Sequence, residues 1–262
     1  MPVIAHVPLR RISQKEFGEV AFEVMNVVFE IHNELGRFFD EKIYKRELVH
    51  RFQGARLETP IDVVFRTFQK RYFLDALIGD GAVFEFKAVE ALSGVHRAQL
   101  LNYLLLCELG HGKLINVRSD DVEHEFVNSR WRREDRIHPS INAERWKPAL
   151  PGAKELYEYL TEFARDLGAG LEVPLYEEAV THFLGGAEKV EAETAIEIGG
   201  RMICHQKVRL VAPGIAFKIT AFDANLHRFE THARMLLAHL DLLSIAWINI
   251  NIKELTFVHL EK

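Results

Sequence analysis

Cysteine is scarce in this chain, and so are long apolar runs. The two cysteines, Cys107 and Cys204, lie far apart in apolar surroundings, so neither a zinc site nor an iron–sulfur site can be built from them. We expect both to be reduced core residues of a cytoplasmic protein. No apolar run reaches the ~20 residues that a membrane-spanning helix needs, so no such helix is expected.

An excess of positive charge, a glycine-rich phosphate loop and closely paired histidines are also lacking. The formal net charge is −5, whereas proteins that coat nucleic acid non-specifically are basic, so any contact with nucleic acid is expected to be local. The thirteen histidines form no tight pair of the kind that zinc sites use. What remains is an ordinary globular composition, 48% hydrophobic and 27% charged, in 262 residues that fit one large or two small domains.

The candidate chemistry lies on one predicted β-hairpin. Residues 73–78 and 82–89 predict two strands joined by a tight turn. Side chains alternate faces along a strand, so Glu85 and Lys87 share a face, and Asp75 on the partner strand lies close enough to converge with Glu85. Two carboxylates and one ammonium at the end of a buried hairpin are costly unless they bind something, and Mg²⁺ or Mn²⁺ suits such oxygen ligands.

This spacing resembles a known signature. Asp75, followed ten residues later by Glu85-x-Lys87, is similar to the motif of the PD-(D/E)XK nucleases, which have the restriction-endonuclease-like fold. Gln99 and Tyr103 are four residues apart on one face of a predicted helix and resemble the Q-x-x-x-Y motif of the helicase-associated branch of that superfamily.

A second set of motifs resembles the GxxExxY proteins, a branch of the same superfamily. The similarity lies in residues 31–36, 41–44 and 113–117 and extends over roughly residues 14–127. The chain departs from the pattern at Phe38, where the glycine that names the branch would stand.

The resemblance implies a fold, a reaction and a set of site residues. The fold is α/β, a restriction-endonuclease-like mixed central sheet flanked by helices, and the reaction is metal-dependent hydrolysis of phosphodiester bonds, with DNA preferred over RNA as the substrate. The expected catalytic residues are Asp75, Glu85, Lys87, Gln99 and Tyr103, and the expected Mg²⁺ (or Mn²⁺) ligands are Glu41, Asp75, Glu85 and the main chain of Phe86.

Simpler readings of these residues stay open. Glu85 and Lys87 also suit a surface cross-strand pair, and Glu41 suits the negative charge that stabilises a helix N-terminus by ~0.5 kcal/mol. The alternative function is a catalytically silent, nuclease-like module that binds nucleic acid or a protein partner, which the acidic net charge and Phe38 keep open. The incomplete basic surface leaves room for a homodimer.

The remaining elements of the first half follow from caps and periodicity. A capping box at Ser13 and Glu16 opens a helix that Gly36 ends. The further elements expected are a helix over 41–53, strands over 58–65 and 68–78, a helix over 95–109 and strands over 113–117 and 122–127.

Residues 129–152 are expected to form an irregular linker between residues 1–128 and 153–262. Arg130, Trp131, Arg132 and Arg133 combine basic and aromatic side chains, which suits phosphate and base contacts as well as a solvated connector.

The second half repeats the hydrophobic pattern of the first. Residues 74–117 align without a gap on 207–250, at a constant offset of 133, which indicates a duplicated unit. The site residues differ between the two stretches: Asp75 aligns with Val208, Glu85 with Lys218, Lys87 with Thr220 and Gln99 with His232. Residues 153–262 are therefore expected to be a degenerate copy that cannot hold the metal.

Overall fold

A computed structural model describes residues 2–262 and divides the chain into two compact units, residues 1–133 and 134–262. Each unit has one six-stranded mixed sheet with helices packed on it, a mixed α/β architecture consistent with a restriction-endonuclease-like fold. No helix within residues 2–262 is both long and apolar enough to cross a membrane.

The first unit contains six strands in chain order across its sheet. Strands four and five pair in parallel, and all other neighbours are antiparallel. The elements are β1 (Val3–Ala5), α1 (Gln14–Leu35), α2 (Glu41–Arg51), β2 (Ala55–Phe65), β3 (Phe68–Ile78), β4 (Ala82–Lys87), α3 (Gly94–Leu106), β5 (His111–Asn116) and β6 (Glu123–Asn128).

Helix α1 begins and ends at the predicted caps. The Ser13 hydroxyl accepts a hydrogen bond from the Glu16 amide at 3.2 Å, and Gly36 ends the helix in the left-handed region, with φ of 68°. Its apolar face and that of α2 pack against the sheet face that carries Phe84 and Phe86. This packing fixes the side of the sheet from which α2 approaches the hairpin.

Strand β4 is two residues shorter than predicted because a side chain replaces its next strand partner. The Asn116 carboxamide accepts from the Val89 amide at 3.1 Å and donates to the Val89 carbonyl at 2.8 Å. Asn116 is fully buried, and this clamp satisfies the main chain where the ladder stops. Helix α2 likewise ends at Arg51, two residues earlier than predicted, and β2 begins at Ala55, three residues earlier.

The second unit also contains a six-stranded sheet. The elements are β7 (Ser140–Arg145), α4 (Ala153–Leu167), α5 (Val173–Phe183), α6 (Ala187–Val190), β8 (Glu191–Ile198), β9 (Arg201–Ala212), β10 (Ile215–Thr220), α7 (Leu226–His239), β11 (Ser244–Ile250) and β12 (Glu254–Glu261). Strand order is β7-β12-β11-β10-β9-β8, so β7 and β8 are the edge strands, and the parallel pairs are β10 with β11 and β12 with β7.

Two expectations about the second half are wrong. Residues 129–152 are not an irregular linker throughout, because Ser140–Arg145 forms strand β7 and pairs in parallel with β12. Trp146, just after β7, is buried, and its ring centroid lies 4.0 Å from that of His259, so this segment belongs to the second unit's packing. Cys204 is exposed on β9 rather than in the core, since the first seven residues of that strand are all exposed.

The two sheets share a pairing scheme. In the first unit β2-β3-β4-β5-β6 pair as antiparallel, antiparallel, parallel, antiparallel, and β8-β9-β10-β11-β12 repeat that sequence. The clamp recurs at the same offset of 133, because the Asn249 carboxamide accepts from the Phe222 amide at 2.8 Å and donates to its carbonyl at 2.9 Å.

The helical regions share a second contact, at an offset of 132. The Tyr44 hydroxyl donates to the Gly36 carbonyl at 2.5 Å, and the Tyr176 hydroxyl donates to the Gly168 carbonyl at 3.5 Å. Both tyrosines are buried, so each anchors the loop that precedes its helix. A tandem duplication would explain both recurring contacts, and it stays a prediction.

Candidate functional site

Asp75 and Glu85 lie where β3 and β4 separate. The antiparallel ladder between these strands extends to the pair Ala76–Phe84, and Asp75 and Glu85 are the next two residues in register. Asp75 Oδ2 accepts a hydrogen bond from the Phe86 amide at 2.9 Å, so a carboxylate takes the place of the main-chain partner. The hairpin brings together the two acids that the sequence predicted to converge.

The Glu85 carboxyl group is buried and only half satisfied. Its exposed fraction is 1%; Oε1 accepts from Lys87 Nζ at 2.7 Å, whereas Oε2 has no hydrogen-bond partner among residues 2–262. Burial, then repulsion from Asp75, raises the pKa of Glu85 to about 8 despite the opposing effect of Lys87. A buried oxygen without a partner is costly, so this position favours a bound ligand.

Helix α2 adds Glu41 and a buried ammonium to the same place. Lys45 Nζ lies 3.2 Å from Glu41 Oε1 and 2.8 Å from Asp75 Oδ1, and it also hydrogen-bonds to Glu58. Burial lowers the pKa of Lys45, but hydrogen bonds to Asp75, Glu58 and Glu41 outweigh it and raise the pKa above its ordinary value. Lys45 is therefore a permanent cation inside the carboxylate cluster.

Lys45 and Glu58 were missed by the sequence analysis. A signal existed for Lys45, which follows Glu41 by four residues and so shares its helix face. Glu58 lies opposite Asp75 in the register of β2 and β3. Its φ of 48° is uncommon for a residue other than glycine, and nothing in the sequence indicates it.

Gln99 and Tyr103 lie on α3, which covers the sheet face that carries Glu85. Gly112, in β5 beside β4, faces that helix so closely that a Cβ there would lie 3.0 Å from Leu100 Cδ1. Gln99 Nε2 donates to the Tyr103 hydroxyl at 3.0 Å. The structure thus joins these two residues to each other and records no hydrogen bond from Gln99 to Lys87.

The basic and aromatic segment after β6 has local contacts. The Arg130 guanidinium lies over the Trp131 ring, 4.9 Å from its centroid, and the Arg133 amide donates to Glu108 Oε1 at 3.1 Å. A role of Arg130, Trp131, Arg132 and Arg133 in binding nucleic acid stays a prediction.

The site carries an excess of negative charge that suits one divalent cation. Glu41, Glu58, Asp75 and Glu85 supply four carboxyl groups against the two ammonium groups of Lys45 and Lys87, an excess of two when all are ionised. Burial, then repulsion from Asp75, raises the pKa of Glu41 as well. The charge excess and the unpartnered Glu85 oxygen fit a hard cation with oxygen ligands.

The site residues are nevertheless not arranged as a complete set of metal ligands. Within residues 2–262 no three His, Cys, Asp or Glu side chains are arranged to hold a metal ion. Three of the four site carboxylates are oriented toward the Lys45 ammonium and contact it. They therefore surround a lysine side chain and not a shared metal position.

Comparison with known proteins gives a family match for the first unit only. Residues 18–129, less than half of the chain, match the family model of the PD-(D/E)XK nuclease superfamily. The match includes every predicted site residue from Glu41 to Tyr103, and members of the superfamily generally use divalent metals. A search of curated proteins and a search of solved structures gave no match. Over residues 18–129, this chain is therefore similar to the PD-(D/E)XK nuclease superfamily.

Proposed function

We propose that the first unit is a metal-dependent nuclease that hydrolyses phosphodiester bonds, with DNA as the preferred substrate and Mg²⁺ or Mn²⁺ as the ion. One observation carries the proposal: the Glu85 carboxyl is buried next to Asp75 and Lys87 and leaves one oxygen without a partner, inside a domain of nuclease ancestry. A group so expensive to bury is typical of a functional site.

The ion would be held by Asp75, Glu85 and Glu41, with the main-chain carbonyl of Phe86 as a further ligand. When bound, a divalent cation supplies positive charge to the phosphate group and lowers the pKa of water.

Lys87 stabilises the negative charge that develops on the phosphate. Lys87 Nζ donates a hydrogen bond to Glu85 Oε1 at 2.7 Å, which holds the ammonium beside Glu85. The other N–H groups of the ammonium can then donate to a phosphoryl oxygen or to a water. Gln99 and Tyr103, joined by a 3.0 Å hydrogen bond, present a hydroxyl and an amide from α3 and would orient the same water or the nucleic-acid backbone.

Lys45 holds the acidic residues in place before the ion binds. Its ammonium contacts Asp75 Oδ1 while the Phe86 amide occupies Oδ2, so the carboxylate has a fixed orientation. The same ammonium competes with an incoming cation for Asp75 and Glu41, which would weaken metal affinity.

The decisive experiment is cleavage of labelled DNA and RNA panels with Mg²⁺, Mn²⁺ or EDTA by the wild type, Glu85→Gln and Lys87→Met. Glu23→Gln, an exposed glutamate on α1, is the matched control. We expect metal-dependent cleavage, more rapid on DNA, that both site variants lose and the control keeps. Cleavage that persists in EDTA or in Glu85→Gln would contradict the proposed centre.

A catalytically silent binding module is the second candidate, and the Lys45 ammonium in the carboxylate cluster favours it. The two functions differ in metal binding, because an ion that binds only the folded state raises the melting temperature by mass action. No cleavage by the wild type, together with no rise in melting temperature in Mn²⁺, would select the silent module.

Two further parts of the proposal concern the oligomeric state and the cellular location of the protein. A homodimer would complete the basic surface of the cleft, and light scattering that finds a fully active monomer would refute it. A cytoplasmic location agrees with two free cysteines, Cys107 and Cys204.

A further inference from the structure

The second unit contains a cleft where the first unit has its site. Its volume is about 470 Å³, and it lies between α7 and the sheet face of β9 and β10. Val208, Lys218 and His232 line it, and these residues align with Asp75, Glu85 and Gln99 at the offset of 133. The cleft thus occupies the place of the predicted catalytic centre with different chemistry.

The cleft is open because α7 covers its sheet less completely than α3 does. Helix α3 buries six residues, whereas α7 buries two, Ala233 and Leu237. Ala233 lines the cleft and stands where the first unit has Leu100, which packs directly on its sheet. The shorter side chain leaves the sheet face beneath α7 accessible.

Lys218 supplies a positive charge in the middle of this face. It lies on β10, between β9 and β11, and its side chain is exposed although Phe217 and Ile219 on either side are buried. The structure records no ion pair for Lys218 within residues 2–262. An unpaired ammonium on a central strand is a ready partner for an anion.

Two more cationic side chains, Lys207 and Arg209, line the cleft, and each has a carboxylate neighbour. Lys207 Nζ is 4.0 Å from Glu191 Oε2, and Arg209 Nη1 is 2.9 Å from Glu177 Oε2. Glu191 also lines the cleft, so the charge of its walls is three cations against one carboxylate, apart from His232. The balance favours an anionic ligand over a metal ion.

The rest of the cleft lining, here called the Phe229 wall, is apolar and partly aromatic. Phe229 lines the cleft, is half-buried, and its ring centroid lies 4.7 Å from that of buried Trp247. Leu236, Leu240 and Ile245 extend this wall. Aromatic and aliphatic surface next to a cation suits a ligand with a flat ring and a phosphate, and ligand pockets of ~300–1,000 Å³ are of a size to take one.

We propose that the second unit binds a nucleotide in this cleft, with the phosphate at Lys218 and the base against the Phe229 wall. The nucleotide is a free nucleoside monophosphate or one nucleotide of a single strand, since both present the same chemistry. The proposal does not depend on cleavage by the first unit.

The test measures nucleotide binding by the full chain in EDTA, which suppresses metal-dependent binding and cleavage by the first unit. Calorimetric titration with AMP and fluorescence anisotropy with a labelled single-stranded DNA supply the two arms. We expect Lys218→Glu to weaken binding by about tenfold or more, because a charge-assisted contact becomes a repulsion. Lys253→Glu, the same charge reversal at an exposed residue outside the cleft, changes affinity less than twofold.

Two more variants locate the site. Ala233→Leu installs the residue of the first unit, fills the cleft and abolishes binding with the circular-dichroism spectrum unchanged, while Glu23→Gln, at an exposed residue of α1, leaves binding intact. AMP alone binding identifies a free nucleotide, and the oligonucleotide alone binding identifies a strand. The proposal would be overturned if the wild type did not bind either nucleotide probe, or if Lys218→Glu and Lys253→Glu lost affinity equally. It would also be overturned if the cleft preferred dodecanoate, a fatty acid that has an anionic group but no base, over both nucleotide probes.

Discussion

The hairpin site of the first unit and the cleft of the second occupy equivalent positions in one pairing scheme, yet their charge is reversed. Glu85 is 1% exposed under α3, and its counterpart Lys218 is open to solvent beside α7. The Asn116 and Asn249 clamps, in contrast, make the same main-chain contacts. The main-chain contacts at the two clamps agree, whereas the residues at the two sites differ, as expected when function resides in sites carried by a fold.

The reversal extends to the helix that approaches the site. At the offset that relates Tyr44 to Tyr176, Lys45 corresponds to Glu177. Lys45 binds three carboxylates, whereas Glu177 binds Arg209 at 2.9 Å. Each unit thus pairs a helix charge with the opposite sign on its sheet, so the two sites have different charge networks on sheets with the same pairing scheme.

The largest expected effect separates the two sites by activity. Glu85→Gln is expected to reduce metal-dependent cleavage by ~10³-fold, because it removes a charge from the ion site and the acceptor that orients Lys87. Lys218→Gln, the neutralising change at the corresponding position, should leave the cleavage rate of double-stranded DNA unchanged at saturating protein, where weaker binding at the cleft does not limit the rate. Single-turnover cleavage of labelled DNA measures both, and equal losses would break the contrast between an active and a degenerate site.

The next effect concerns the buried ammonium. Lys45→Met is expected to destabilise the metal-free protein by ~3 kcal/mol, because it leaves the buried Asp75 carboxylate without its ammonium partner. Added Mn²⁺ should recover more stability in this variant than in the wild type, since no ammonium competes for Asp75. Urea unfolding with and without Mn²⁺ gives both quantities, and Lys42→Met, an exposed lysine on α2, is the control. A smaller metal response in Lys45→Met would contradict competition.

The third prediction compares how much the Asn116 and Asn249 clamps contribute to the stability of their units. Asn116→Ala and Asn249→Ala should each cost ~2 kcal/mol of unfolding free energy, because each leaves a strand end without its side-chain partner. Urea titrations of both variants supply the comparison. A large effect of one and none of the other would mean that only one unit depends on this contact.

The smallest effect is a difference in pH dependence. Because the pKa of Glu85 is raised to about 8, the folded metal-free protein binds a proton that the unfolded chain has released, and stability falls as pH rises from about 4.5 to 8. Glu85→Gln should flatten this slope. Glu230 behaves oppositely, since Arg145 lowers its pKa to about 2, and its contribution is lost only as pH falls from about 4.5 to 2.

Melting temperatures in EDTA across pH 2–8 measure both slopes. Glu230→Gln should flatten the curve only in its acid part, and Glu85→Gln only above about pH 4.5. The same slope above pH 4.5 in Glu85→Gln and in the wild type would show that Glu85 is not the group that titrates there.

The sequence by itself determined the hairpin and the convergence of Asp75, Glu85 and Lys87. A tight turn sets the register of neighbouring strands and alternation sets the faces, so these side chains were predictable from local pattern alone. The caps of α1 were predictable for the same reason, because they depend on residues within one or two turns of the helix.

Only the tertiary structure decided which other groups meet the hairpin. Lys45 reaches Asp75 because α2 packs on the sheet, and Glu58 faces it through an uncommon backbone conformation. Strand β7 was missed because its partner, β12, is more than a hundred residues away, and parallel pairing across such a distance leaves no local signal. The open cleft at Lys218 depends likewise on how closely α7 packs on its sheet, which side-chain volumes across the whole interface determine.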